Sequence, residues 1–182
     1  MTGAKVAIVT GGSRGIGCAV AGRLASDGVA VAVTYVSSAQ AARELVGTVQ
    51  GGGGGRAVAI RADVSDAAQV QALFEQTESE FGGVDIVVAA AGIMRPALLA
   101  QATDTDFTEH VQVNIRGTFN VLREAARRVR DGGRIITFSS TTVALNAPSL
   151  VVSLDCSSGV VEVEAAGGIQ GVFGCAGEDA GG

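Results

Sequence analysis

The sequence predicts an α/β fold built on a doubly wound parallel sheet, and three observations carry that expectation. Short β-branched runs alternate with amphipathic stretches for about three quarters of the 182 residues, the pattern of repeated βαβ units. The first run, Val6-Ala7-Ile8-Val9-Thr10, passes directly into the glycine-rich turn Gly11-Gly12-Ser13-Arg14-Gly15-Ile16-Gly17 and then a helix. The second run, Ala-Val-Ala-Val-Thr-Tyr at 30–35, is apolar on both faces, as a central parallel strand should be.

The elements follow in order. Strand one is expected over 5–10 and its helix over 15–26, where Asp27-Gly28 stops it. Ser37 and Ser38 are good N-cap residues for a second helix carrying Ala41, Ala42, Leu45 and Val46 toward the sheet, and five glycines at 51–55 read as a flexible linker. Strand three covers 57–62. A third helix over 66–81 buries Val70, Leu73 and Phe74 and ends at Gly82-Gly83. Strand four is 85–90. Thr103 with Asp106 three residues on reads as a capping box, opening a helix that runs to Arg130 with a break near Val111. Asp131-Gly132-Gly133 closes it, and strand five follows at 134–138.

From about residue 149 helical periodicity is lost and glycine recurs every few residues. Two parts are therefore expected: an α/β domain over 1–148 and a glycine-rich tail of low order over 149–182. Within the tail only Val161-Glu162-Val163-Glu164 alternates, a candidate strand for the open edge of strand five.

Composition narrows the function classes. The net charge of -5 and the lack of any basic run beyond Arg127, Arg128 and Arg130, which complement a helix C-terminus, argue against nucleic-acid binding. No apolar run approaches membrane-spanning length and no leader pattern opens the chain, so a cytoplasmic protein without a membrane partner is expected. Cys18, Cys156 and Cys175 lack disulfide or zinc spacing, and His110 lacks ligand partners, so no metal is expected. At 47% hydrophobic residues the chain has apolar surface to spare for an interface.

What the glycine turn offers is a crowd of backbone N–H groups at a helix N-terminus, a natural seat for phosphate or pyrophosphate. The spacing Gly11-x-x-x-Gly15-x-Gly17 does not stand alone. With Asp63-Val64 after strand three, Ala91-Gly92 after strand four, Asn114 within a helix and Ser139-Ser140 after strand five, it makes residues 4–148 resemble the short-chain dehydrogenase/reductase family. The resemblance implies a Rossmann-like three-layer αβα fold of about five strands in the order 3-2-1-4-5, incomplete on the C-terminal side. It implies NAD(P)-linked hydride transfer on an alcohol or carbonyl substrate.

By the same resemblance Gly11, Ser13, Gly15, Ile16 and Gly17 would hold the cofactor pyrophosphate. Asp63 would accept from the adenine amino group while Val64 packs on the ring, with Ala91 and Gly92 beside them; capping of the next helix is the alternative role for Asp63. The end of strand two reads Tyr35-Val36-Ser37-Ser38, without the carboxylate that would hold the ribose of NAD; with Arg14 and Ser37 positioned for a 2′-phosphate, NADP(H) is favoured over NAD(H). In the family an Asn, Ser, Tyr and Lys act together: tyrosine relays the proton, lysine lowers its pKa, serine holds the substrate oxygen and asparagine supports a water. Asn114 and Ser140 match the first two, with Ser139 as the neighbouring alternative. The Ala89-Ala90 pair stands where relatives usually carry asparagines, one of which ties strand four to its neighbours.

The other half of the tetrad is missing. Thirteen residues on from Ser140 is Ser153, and the lysine position is Ser157; Tyr35 and Lys5 are the only tyrosine and lysine in the sequence. A serine hydroxyl has a far higher pKa and shorter reach than a phenol. The abrupt change near 149 suggests a frame shift, truncation or recombination. Three readings follow: an NADP(H)-dependent oxidoreductase by descent that is catalytically impaired, a non-catalytic dinucleotide-binding module or sensor, and an unstable truncated fragment. Relatives of this type form homo-oligomers, which the altered C-terminal region puts in doubt here.

Overall fold

The computed structural model describes residues 4–52, 55–95, 99–140 and 170–176. Strands β1 (Val6–Thr10), β2 (Ala30–Tyr35), β3 (Ala57–Arg61), β4 (Val84–Ala89), β5 (Val129–Ser140) and β6 (Gln170–Ala176) form one sheet in the order β3-β2-β1-β4-β5-β6. Every neighbouring pair is parallel. The first five strands stand in the order expected from sequence. The sixth adds to β5, pairing from Arg134 with Gln170 to Ser140 with Ala176. The candidate strand at 161–164, Ser153 and Ser157 lie outside the described residues.

Helices α1 (Gly15–Ser26), α2 (Ala39–Gly51), α3 (Ala67–Phe81), α4 (Asp104–His110) and α5 (Thr118–Arg128) cover the sheet, and a π-helical segment, Val111–Gly117, joins α4 to α5. Side chains alternate across β1, so Ile8 and Val9 serve opposite cores. Val9, Val31 and Val33 pack with Ala21, Ala25 and Ala42 of α1 and α2, where small helix residues allow close approach. On the other face Ile8 and Val87 meet Val70, Leu73 and Phe74 of α3 and Val121 and Leu122 of α5. Phe74 and Leu73 are fully buried, and truncating a phenylalanine in such a setting costs about 3–5 kcal/mol.

Two helix starts are closed by side chains. Asp66 accepts from the N–H groups of Ala68 (2.9 Å) and Gln69 (3.3 Å) at α3. At α4, Thr103 and Asp106 form the expected capping box. Hydrogen bonding holds the carboxyls of both aspartates below their ordinary value: Gln69 is the main cause for Asp66, and Thr103 for Asp106.

Three boundaries differ from the sequence reading. The linker glycines begin inside a helix, since α2 runs to Gly51. The break expected near Val111 is a widening, with π geometry maintained over seven residues. The last helix ends at Arg128, and β5 begins at Val129 because Asp131-Gly132-Gly133 is an irregularity within the strand: pairing jumps from Val84 with Val129 to Ile86 with Arg134, and Gly132 takes φ +76°. Arg130 pairs there with Asp85 at 3.4 Å, and Asp85 also accepts the Val6 N–H at 2.8 Å. No helix among the described residues is long and apolar enough to cross a membrane.

Candidate functional site

The order in which strands are added to the sheet reverses between β1 and β4, which are parallel neighbours although two βα units separate them in sequence. In open parallel sheets ligands bind outside the carboxyl ends of the strands at such a point. Here the two strand ends are tied by one buried hydroxyl. Thr10 Oγ1 donates to the Val88 carbonyl (3.4 Å) and accepts from the Ala91 N–H (3.1 Å), while the Gly11 N–H donates to Thr34 Oγ1 on β2 (3.0 Å). Thr10 thus bridges β1 to β4 at the place where Ala89-Ala90 lack an amide side chain.

Each glycine of the turn has its own requirement. A Cβ on Gly17 would lie 2.5 Å from the Gly11 carbonyl oxygen, and one on Gly11 would lie 2.8 Å from Ala91 Cα. Close packing therefore excludes a side chain at both. Gly15 is different: its φ is +56°, yet a Cβ there would meet nothing within 4 Å. Gly11 and Gly15 are both left-handed, and the open space at Gly15 lies at the positive end of α1. The N-cap residue Arg14 makes no side-chain capping bond, and the first turn of α1 carries no acidic residue. Arg14 and Ile16 are exposed and Ser13 half-buried beside it. The donor set and open volume suit an anionic group such as the pyrophosphate of a dinucleotide.

At the end of β2, Val36 and Ser37 are exposed, and α2 starts from Ser38 without a side-chain cap. At the end of β3, Asp63 Oδ1 accepts from the Ser65 N–H (2.9 Å) and Oγ–H (2.7 Å), and the Asp63 N–H donates to Gln69 Oε1 (3.0 Å). Capping of α3 falls to Asp66, which removes the alternative role for Asp63. Val64 is buried and packs on Gly117, where a Cβ would come within 2.6 Å of Val64 Cγ2. Its side chain therefore serves the core, and its backbone is what it offers the crevice. Asn120 is a residue that sequence reasoning missed: buried, it donates to the carbonyls of Val64 (3.0 Å) and Ser65 (3.3 Å) and fixes the loop after β3. An asparagine inside a helix, where its propensity is poor, was the available signal.

Asn114 lies in the π-helical segment, 5% exposed. Its Oδ1 accepts from the Ile93 N–H and its Nδ2 donates to the Ile93 carbonyl, both at 2.9 Å. A Cβ on Gly92 would lie 3.4 Å from Asn114 Oδ1, so the loop after β4 rests on this amide. Ser140 ends β5 at the same carboxyl edge of the sheet. Lys5 precedes β1 at the amino edge, and Tyr35 ends β2, three strand spacings or about 14 Å from β5. Neither can join Asn114 and Ser140.

His110, expected as a quiet residue on a helix face, is 3% exposed. Its Nε2 faces the Arg95 N–H at 3.2 Å and its Nδ1 the Asp106 carbonyl at 2.7 Å. The Arg95 guanidinium pairs with Glu109 and reaches Asp106 at 3.8 Å. Among the described residues no group of three His, Cys, Asp or Glu could hold a metal ion.

Comparison with known proteins agrees with this architecture. A versicolorin reductase of Emericella nidulans is 43% identical over 141 residues, covering 78% of this chain and 53% of the relative. A short chain dehydrogenase from Burkholderia cenocepacia, solved in complex with NADP, superposes with a TM-score of 0.78 at 40% identity, covering 85% of this chain and 62% of that one. A short chain dehydrogenase/reductase from Burkholderia phymatum, solved with NAD, gives a TM-score of 0.86 at 26% identity over 95% of this chain and 65% of the other. The chain spans about half the length of the curated relatives it matches. The family model for short chain dehydrogenases matches residues 5–152, and with the glycine turn, the strand order and the Asn114 helix in agreement, the chain belongs to that family of oxidoreductases.

Proposed function

We propose that the chain binds NADP(H) in the crevice between β1 and β4 and that, with this sequence, it reduces or oxidises an alcohol or carbonyl substrate slowly or not at all. The observation that carries the binding reading is the start of α1, where left-handed Gly15 opens a helix that has no side-chain N-cap. Gly11, Ser13, Gly15, Ile16 and Gly17 hold the pyrophosphate. Asp63, with the Val64 backbone, receives the adenine, and Ala91 and Gly92 form the floor. Arg14 and Ser37 recognise the 2′-phosphate, a choice supported by the lack of a carboxylate at 35–38 that would repel it. Bound there, the nicotinamide ring supplies or accepts the hydride.

Asn114 and Ser140 are the residues offered to the reacting end, Ser140 to hold the substrate oxygen and Asn114 to keep the floor of the site in place. The distance of Tyr35 and Lys5 from β5 leaves the proton relay without its phenol and ammonium. That same geometry supports the second reading, a dinucleotide-binding module without catalysis. Thermal unfolding with NADPH and NADH tests binding, since a ligand of the native state raises its stability. A larger rise with NADPH is expected; no rise with either would overturn the proposal. NADPH oxidation with a panel of ketones is expected near background. A robust rate abolished by Ser140→Ala would show that the chain has an active relay.

A further inference from the structure

We infer that His110 is a positioning residue for the crevice, its neutral imidazole fixing the segment that follows β4. That segment is held to the helix side of the site by side-chain bonds to its backbone. Asn114 grips both backbone groups of Ile93, and two residues on the Arg95 N–H meets His110 Nε2 at 3.2 Å. His110 and Asn114 are four residues apart, so they project to one face of the helix. The Arg95 side chain then folds back on Glu109 and Asp106.

The partners dictate the proton. A backbone N–H can only donate, so Nε2 must be the acceptor; a backbone carbonyl can only accept, so Nδ1 carries the hydrogen toward Asp106 at 2.7 Å. At 3% exposure the ring has no water to exchange these partners for. One tautomer satisfies both contacts, and the ring serves as a spacer that asparagine is too short to replace. The consequence for ligand binding rests on the NADP(H) reading above: Ile93 and Arg95 continue directly from Ala91-Gly92, so a loosened Arg95 loosens the floor.

Three forms of the full chain test this: wild type, His110→Gln, which keeps an acceptor within reach of Arg95, and His110→Phe, which fills the space without one. Long-range proton–nitrogen NMR of the wild type is expected to show the Nδ1–H tautomer. Amide hydrogen exchange at Arg95 is expected to accelerate about tenfold or more in His110→Phe, with Val87 and Val88 unchanged and the Gln variant close to wild type. The NADPH dissociation constant should rise several-fold in the Phe variant alone. An Nε2–H tautomer, unchanged Arg95 exchange in the Phe variant, or acceleration shared equally by Val87 and Val88 would overturn the proposal. Exchange is read without cofactor, so failure of every form to bind NADPH counts against the NADP(H) reading and leaves the exchange result to decide the role of His110.

Discussion

Helices α1 and α3 both start at the carboxyl edge of the sheet, and they start in opposite ways. α3 closes its own N-terminus: Asp66 takes two of the first N–H groups, and Gln69 Nε2 donates to its second oxygen at 2.9 Å. α1 has an extended Arg14 at the same position, no side-chain cap and a left-handed glycine as its first residue. The difference teaches where a helix is finished by its own sequence and where it is left to be finished by a ligand. A capped terminus is a structural joint, and an open one beside glycines is a place for an anion.

The sharpest way to break this comparison is Gly17→Ala. Its Cβ would stand 2.5 Å from the Gly11 carbonyl oxygen, so the turn must open. We expect a destabilisation of about 1–3 kcal/mol by urea unfolding and a loss of NADPH affinity of about a hundredfold, read by fluorescence titration. Retained affinity would mean that the turn is not the anion seat. Thr10→Val is next. It removes the hydroxyl that joins Val88 to Ala91 and takes the partner from the part-buried Ala91 N–H, an expected cost of about 1–3 kcal/mol in the same unfolding measurement.

Arg14→Asp would convert the open terminus into a closed one. The extended backbone at 14 suits an N-cap carboxylate, so the apo chain should gain about 0.5–1 kcal/mol while NADPH binding weakens by about tenfold or more. Gain in both properties would contradict the contrast between the two helices. The smallest effect concerns pH. The carboxyls of Asp66 and Asp106 lie below their ordinary value of 3.8 in the folded chain, so their contribution is complete above that value and is lost as pH falls through the folded one. Amide exchange at Ala68 and Gln69, measured against an Asp66→Ala variant, should converge with that variant in acid and diverge from it near neutrality.

Much of this was legible in the residues. The limits of α1 were readable because the glycine turn and Asp27-Gly28 punctuate both ends, and the capping box at Thr103 because its partner lies three residues away. Local signals of that kind survive folding. What was not legible depended on distant contacts. Asp131-Gly132-Gly133 looks like a helix stop and instead lies within β5, where Arg130 has Asp85 as a partner across the sheet. β6 has no alternating pattern to announce it and exists as an addition to the edge of β5. In the candidate site the glycines, Asp63 and Asn114 could be picked out by their order, whereas His110 and Asn120 act on backbone groups 15 and 56 residues away. A polar side chain that bonds to backbone leaves no complementary residue type to find.

The π-helical segment has a consequence for tolerance of insertions and deletions. Because its turns are wider, the faces of α4 and α5 are set out of phase, with Asn114 turned to Ile93 and Asn120 turned to Val64. Loss of one residue between Asn114 and Asn120 that the wider turns did not take up would rotate one side against the other by about 100°. Either the Ile93 contact or the Val64 contact would then face the wrong way. The segment is a phase offset between two helices, and its length is as constrained as its sequence.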